Sequence, residues 1–454
     1  MAASLKDRGY TEMPMRNCPL ALLVLVSACT HASRPVQSVQ AVPALIAGQS
    51  RIASPPVRNA WHQTLGASDH LRAAAIDFEG DIVWAPNFSQ AGEAPPQNHS
   101  PGLSLIKTDN HGKTRWIRHL SDNTEAFTMA IQVTGSGRYL VSGSFARTLT
   151  IDSETVISKG DRDAFVAMFS ATGKLQWLRS LGGLARESAT QVAISEDESM
   201  VAIAGYSESS FQFAGKRFPA RGTASDGFIA TFDAEGTALW AQRFRGVGRD
   251  RVEGLLFDQG EIAVLGSFST RLEFSAKSLR SRGGYDIFCV RYDSAGNEIW
   301  QHSWGSTKND YPIAIAILPG GQLALLAQIG PDTIDLGGGA LPSRGNSDIV
   351  LWTLDSYGNP ERSVRIGGIA HESPTSLHAG NTLRIAGSFH GQTNMGFGDH
   401  GDADTEANFA LELDNSLSAI ETHFSEHAGK TIFGPGDASL RIGQKPSSLH
   451  YSPQ

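Results

Sequence analysis

Asp286-Ile-Phe-Cys-Val-Arg-Tyr-Asp-Ser-Ala-Gly296-Asn-Glu-Ile-Trp300 decides the fold, because the chain writes the same sentence repeatedly. Its glycine recurs at Gly112, Gly173, Gly236, Gly296 and Gly358, at spacings of 61, 63, 60 and 62. Trp116, Trp177, Trp240 and Trp300 each follow four residues after one of these glycines, and Asp163, Asp226, Asp286 and Asp348 keep the same period. A fixed period of this length marks a repeat architecture in which neighbouring units bury one another.

One unit holds four short strand candidates, A to D: Val252 to Phe257, Glu261 to Phe268, Asp286 to Tyr292 and Ile299 to Trp304. Asp258-Gln259-Gly260 and Asp293-Ser294-Ala295-Gly296 supply turn chemistry between A and B and between C and D. Strand C shows little alternation, so both of its faces are expected to be covered. Four-stranded sheets covered on both faces and repeated at one period stack radially, which predicts an all-β propeller. At the ends, Trp61 to Leu65 reads as a strand D without its unit, and 433–452 read as strands A, B and a shortened C. The expectation is seven four-stranded blades over residues 57–454, the last closed by the N-terminal strand; six is the alternative, with the tail packed on the surface.

Composition agrees. Glycine supplies 48 of 454 residues, charged residues are 19%, and 38 basic against 46 acidic residues leave a net charge of −8. That balance lacks the basic footprint of a nucleic-acid binder, so no nucleic-acid partner is expected. Three cysteines exclude a disulfide scaffold and a cysteine-based zinc finger.

The N-terminus reads as an address. Pro19 to Ala28 is an apolar run preceded by Lys6, Arg8 and Arg16, too short for a span of roughly twenty residues but suited to a secretory signal. Val26-Ser27-Ala28-Cys29 resembles the lipobox of bacterial lipoproteins. The resemblance implies a signal peptide at 1–28, lipidation such as palmitate on Cys29 and, with Thr30 following, an outer-membrane address facing the periplasm or the cell surface. Residues 29–56 read as the lipidated cysteine and a flexible tether. Met15 is a second possible start.

The repeat resembles the SBBP-type β-propeller repeat of bacterial cell-surface proteins. The residues that carry this are Asp-Ala-Phe-Val-Ala-Met-Phe at 163–169, Gly-Ser-Phe at 143–145 and 266–268, Leu181-Gly182-Gly183 and Ile366-Gly367-Gly368. The likeness covers roughly 57–424 and departs at Pro86 and Gln328 (for the strand-B glycine), Arg362 (for the tryptophan) and Asn408 (for the aspartate). It implies a surface or envelope propeller and no particular reaction. Asp-Ala-Glu-Gly-Thr-Ala-Leu-Trp at 233–240 also resembles quinoprotein blades, shared by quinone dehydrogenases and a cofactor-free outer-membrane assembly lipoprotein. Quinone dehydrogenases commonly carry a vicinal cysteine pair, and Cys289 here stands alone in the mature chain, so no cofactor is expected.

Nucleophile, zinc and complete phosphate-loop signatures are missing. Gly429-Lys430-Thr431 imitates the end of a phosphate loop without its leading glycine, and His371, His378, His390 and His400 fall in one unit without a period. Two charged sets are periodic. Glu187, Asp250, Asp310 and Glu372 precede strand A, while Lys159, Arg221, Arg282 and Arg344 precede strand C. In a propeller both sets ring the face of the D–A and B–C connections, either as a polar funnel for a charged ligand or as repeated capping and ion pairing. The B–C links, such as Ser269 to Gly283 with Leu272, Phe274 and Leu279, read as hairpins. The sixth link carries Asp399, Asp402, Asp404 and Glu406 on a glycine-rich loop, a weak Ca²⁺ candidate beside the reading of a solvated acidic loop.

The function expected is a membrane-anchored, non-catalytic binding or scaffolding module of the cell envelope. Its partner would be an envelope protein or glycan, its state a monomer, and its binding face the one with Arg282, Arg344 and the acidic link. The alternative is a hydrolase or lyase on envelope polysaccharide, its acids drawn from the Glu187, Asp250, Asp310 and Glu372 ring.

Overall fold

The computed structural model describes residues 61–64, 70–77, 79–88, 100–220, 224–274, 277–369, 371–402, 405–425, 430–433, 439–444 and 447–452. The signal, Cys29 and the tether lie outside them, as do Arg221 and Asp404. Every regular element among the described residues is a strand, and no helix there is long and apolar enough to cross a membrane.

The architecture is a propeller-like arrangement of antiparallel four-stranded sheets. Four sheets are free-standing, each built from one stretch of chain: His70 to Ser121, Phe127 to Leu181, Asp310 to Ile366 and His371 to Ser425. Between the second and third of these, residues 187–304 form an eight-stranded sheet, because Ala238–Gly246 also pairs with the end of Glu261–Glu273. A last sheet joins both chain ends, in the order Trp61–Thr64, Ser447–Ser452, Ser439–Gln444, Lys430–Phe433. The A strands of successive units pack side by side, and the sheets meet face to face.

The strands follow the sequence periods closely. In the unit used above, they run Asp250–Asp258, Glu261–Glu273, Ser278–Tyr292 and Glu298–Trp304. Strand C is covered on both sides: Ile287, Phe288, Cys289 and Val290 are fully buried. Strands B and C outrun their expected ends because the B–C link continues the ladder as a hairpin, Leu272 opposite Leu279. Other B–C links form separate two-stranded ladders, at 148–157, 211–218, 334–341 and 393–400. Many of their apolar residues turn inward, with Phe211 5.8 Å from Phe228 and Phe213 5.1 Å from Phe232 between ring centroids, while Ile157 and Phe397 stay exposed.

The period in Gly and Trp has one physical cause. Three of the four tryptophans donate their indole N–H to the C–D turn of the next unit: Trp177 to Ala234 O at 2.9 Å, Trp240 to Ser294 O at 2.9 Å, and Trp300 to Ser356 O at 3.0 Å. The glycine two residues beyond each acceptor lies under that indole. At Gly296, where φ is 83°, an added Cβ would sit 2.6 Å from the Trp240 ring, so conformation and space both require glycine.

Two positions read from the sequence are one residue off. Strand pairing sets Asp opposite the last residue of the Gly-x-Phe segment, which puts Ala327 rather than Gln328 in the glycine's place, and Ala407 rather than Asn408 in the aspartate's. The strand-B glycines face a strand-C phenylalanine: Gly143 with Phe165, Gly205 with Phe228, Gly266 with Phe288, Gly387 with Phe409. Where alanine replaces glycine, at Ala327, the partner shrinks to Val350. The pair conserves volume, as a close-packed interior requires.

Candidate functional site

The four acids before strand A are all completely buried: Glu187, Asp250, Asp310 and Glu372. Each lies 24 residues after a buried strand-C aspartate, Asp163, Asp226, Asp286 or Asp348. Electrostatic coupling joins the two members of every pair. A glycine closing strand D separates them. A Cβ on Gly182, Gly246, Gly305 or Gly367 would approach a carboxylate of the pair to within 2.0, 2.2, 2.2 and 2.4 Å. The first glycine of the Gly-Gly motif is thus a consequence of the acid pairs.

Most of these carboxylates are held by donors of the scaffold, whereas both oxygens of the buried Asp250 lack one. Glu187 accepts from Gly183 N, from the hydroxyls of Ser207 and Ser209, and from Ser209 N. Asp310 accepts from Ser306 N and Oγ and from Gly330 N. The strand-C aspartates accept from the amides of Lys159, Arg282 and Arg344, four residues earlier. At those positions the backbone N–H caps the carboxylate while the charged side chains stay exposed. Arg243 reaches Asp226 at 2.7 Å and Arg365 reaches Asp348; the corresponding strand-D residues of the other two pairs are Ser180 and Ser303. Burial, then the charge of Asp226, pushes Asp250 up to about 9. Burial also pushes Asp286 up to about 6, against the capping amide of Arg282 and helped by Asp310. Desolvation raises Asp163, Glu187, Asp310 and Glu372 as well.

Other charged candidates are occupied or apart. Asp399 and Asp402 are exposed and bonded to Asn394 and Thr405, and Glu406 is exposed. Asp77, Glu79 and Asp81 gather on an A–B turn that sequence reading passed over. Lys107 stands 2.8 Å from Asp77 and 3.3 Å from Asp81, so an ammonium already fills the place of a cation.

Among the described residues, a cleft of about 510 Å³ lies where the D–A and B–C connections meet, and another of about 500 Å³ lies beside His119, Asp122 and Arg147; the first is the one where the repeat changes character. It is lined by Thr307, Lys308, Asn309, Tyr311, Gln328 and His371, with Asn346 and Ser347 beside them. The repeat breaks its symmetry at this place. Asn309 and His371 each precede a buried acid, at positions that hold Arg186 and Arg249 in earlier units. Gln328 occupies a place taken by Ser144, Tyr206, Ser267 and Ser388 elsewhere. Its amide N–H donates to Ser347 Oγ at 3.1 Å, Glu372 O at 2.8 Å and Ser373 Oγ at 3.1 Å, tying two units together. Ser347 Oγ also meets His371 Nδ1 at 3.3 Å. Asn309 Oδ1 accepts from Tyr285 N, and the Tyr285 and Tyr311 rings lie 5.6 Å apart, Tyr311 being 39% exposed. Gln328 and His371 were visible in the sequence as a departure and an enrichment; the rest carried no signal, since ordinary polar residues in links become a site only by convergence.

No family model matches the chain. The regulatory protein FlaEY of Caulobacter vibrioides is 23% identical over an alignment of 325 residues that covers 65% of this chain. The chain spans about a third of that relative's length, 34%. Among solved structures, BamB from Moraxella catarrhalis aligns with a TM-score of 0.40 at 13% identity, over 90% of this chain and 96% of its own. The PQQ domain of pyranose dehydrogenase from Coprinopsis cinerea aligns at 0.39 and 12%, over 92% and 100%. These are likenesses of general form.

Proposed function

We propose that the chain is an outer-membrane lipoprotein, anchored through Cys29, whose propeller is a non-catalytic, monomeric binding or scaffolding module of the cell envelope with SBBP-type repeats. One observation carries the reading. The two periodic acid sets beside strands A and C are turned into the interior, where they serve the scaffold, while one of the places where the repeat departs from itself opens a cleft. Periodic chemistry solves packing; a ligand site needs asymmetry on a rigid frame. Arg282, Arg344 and the acidic link with Asp399, Asp402 and Glu406 belong to B–C connections and are proposed as further points of contact.

We also infer seven blades. In support, Lys430–Phe433 runs beside both His371–Ala379 and His70–Ile76, so the A strands follow one another round to the first. Truncation after Phe424 is expected to lower the melting temperature by many degrees; an unchanged melting temperature contradicts the closure. Radiolabelled palmitate is expected on the wild type and not on Cys29→Ala, and label that persists on the variant contradicts the anchor. The binding reading is tested by screening envelope polysaccharides for turnover. No Asp310→Asn-sensitive activity is expected; turnover abolished by Asp310→Asn or Glu187→Gln would falsify it.

A further inference from the structure

We propose that the cleft between Asn309 and His371 binds a neutral sugar chain, an inference that rests on the binding reading above. Its walls are supplied by side-chain amides (Asn309, Gln328, Asn346), hydroxyls (Thr307, Ser347) and an imidazole. Such groups donate and accept without net charge, which matches the paired donor and acceptor character of sugar hydroxyls. One charged side chain, Lys308, also lines the cleft, and the exposed Asp332 nearby accepts from Thr307 N and Oγ1 and feels that ammonium, so opposite charges sit together at the rim.

The aromatic wall is the second observation. Tyr311 is half turned to solvent against Tyr285, with ring planes tilted by 37°. The Tyr311 face in the cleft wall, backed by Tyr285, offers an apolar plate to the C–H face of a sugar while the amides take its hydroxyls. The cleft's volume lies within the ordinary range for a small-molecule site. A peptide is the less suited occupant. Extended peptides add to a free sheet edge or fill apolar pockets, and here the wall strands are already paired on both sides: Leu323–Ile329 lies between Asp310–Ile317 and Asp348–Leu354. The rigid tie of Gln328 to Ser347 and Ser373 keeps the walls preorganised, which reduces the ordering cost of binding.

The experiment titrates the full-length protein in detergent with maltotetraose, an N-acetylglucosamine tetramer and an unstructured neutral peptide, followed by calorimetry and tyrosine fluorescence. Saturable binding of at least one sugar is expected, with quenching, and a loss of about tenfold or more in Tyr311→Ala and Asn309→Ala at unchanged melting temperature. Peptide binding without sugar binding overturns the sugar assignment and leaves the cleft a site. Sugar binding unaffected by either variant overturns the placement. If none of the three probes binds, the sugar assignment falls; envelope capture that also survives the cleft variants then removes the binding reading as well.

Discussion

The contact between the units of Trp240 and Gly296 and the contact between those of Arg362 and Leu417 do one job with different residues. In the first, an indole donates to the C–D turn and lies on a glycine at φ 83°. In the second, Arg362 stands in the tryptophan's place and donates to Asn415 O at 2.6 Å, the equivalent carbonyl. The indole is gone, and the residue at the glycine's place is Leu417, buried and still at φ 66°. What the fold specifies is therefore a donor to one carbonyl and a filled volume. Residue identities vary when both partners change together.

The comparison breaks most visibly at the indole. Trp240→Ala is expected to cost about 3–5 kcal/mol of unfolding free energy, because the plate and the N–H are both lost. Arg362→Ala should cost about 1–2 kcal/mol, mostly its hydrogen bond. Denaturant midpoints for both variants check the order, and equal losses would show that the tryptophan's area carries nothing. A swap sharpens it further. Gly296→Leu alone should be destabilised by more than 2 kcal/mol through overpacking, and adding Trp240→Arg should recover at least half.

The acid pairs offer a smaller effect with a defined sign. Asp250 is about 9 in the fold and about 4 unfolded, so between those values the native state keeps a proton that the unfolded chain has released. Its contribution to stability is full below pH 4 and is lost as pH rises towards 9. Asp250→Asn is expected to stabilise the protein at pH 8 by about 1–3 kcal/mol and to flatten that decline, read from melting temperatures at pH 5, 7 and 9. A variant with the wild-type slope contradicts a neutral Asp250.

Much of the scaffold was legible in the sequence, and the reason lies in these contacts. Gly, Trp and Asp each answer a steric or hydrogen-bonding need that recurs in most units, so they leave a period. The register errors at Gln328 and Asn408 came from reading identities where volumes are conserved instead: Ala327 with Val350 keeps the packing of Gly266 with Phe288 while removing both marker residues. The acid ring was legible as a set, but its burial was not, because sequence spacing does not tell a mouth from an interior. The cleft was least legible. Asn309, Tyr311 and Ser347 are common link residues whose meaning comes from lying together.

A still smaller effect is expected at the symmetry break itself. Gln328→Ser restores the residue found in three other units and should change the unfolding free energy by no more than about 1–2 kcal/mol, since Ser347 and Ser373 keep other partners or water.

The central claim is that symmetry serves the scaffold and asymmetry serves binding. It is tested most directly by measuring melting temperature and partner capture from solubilised envelopes on one double variant, Tyr311→Ala with His371→Ala. The account predicts a melting temperature within about 2 °C of the wild type, as for exposed substitutions in a large domain, together with loss of the captured partner. Capture at the wild-type level from a folded double variant contradicts it.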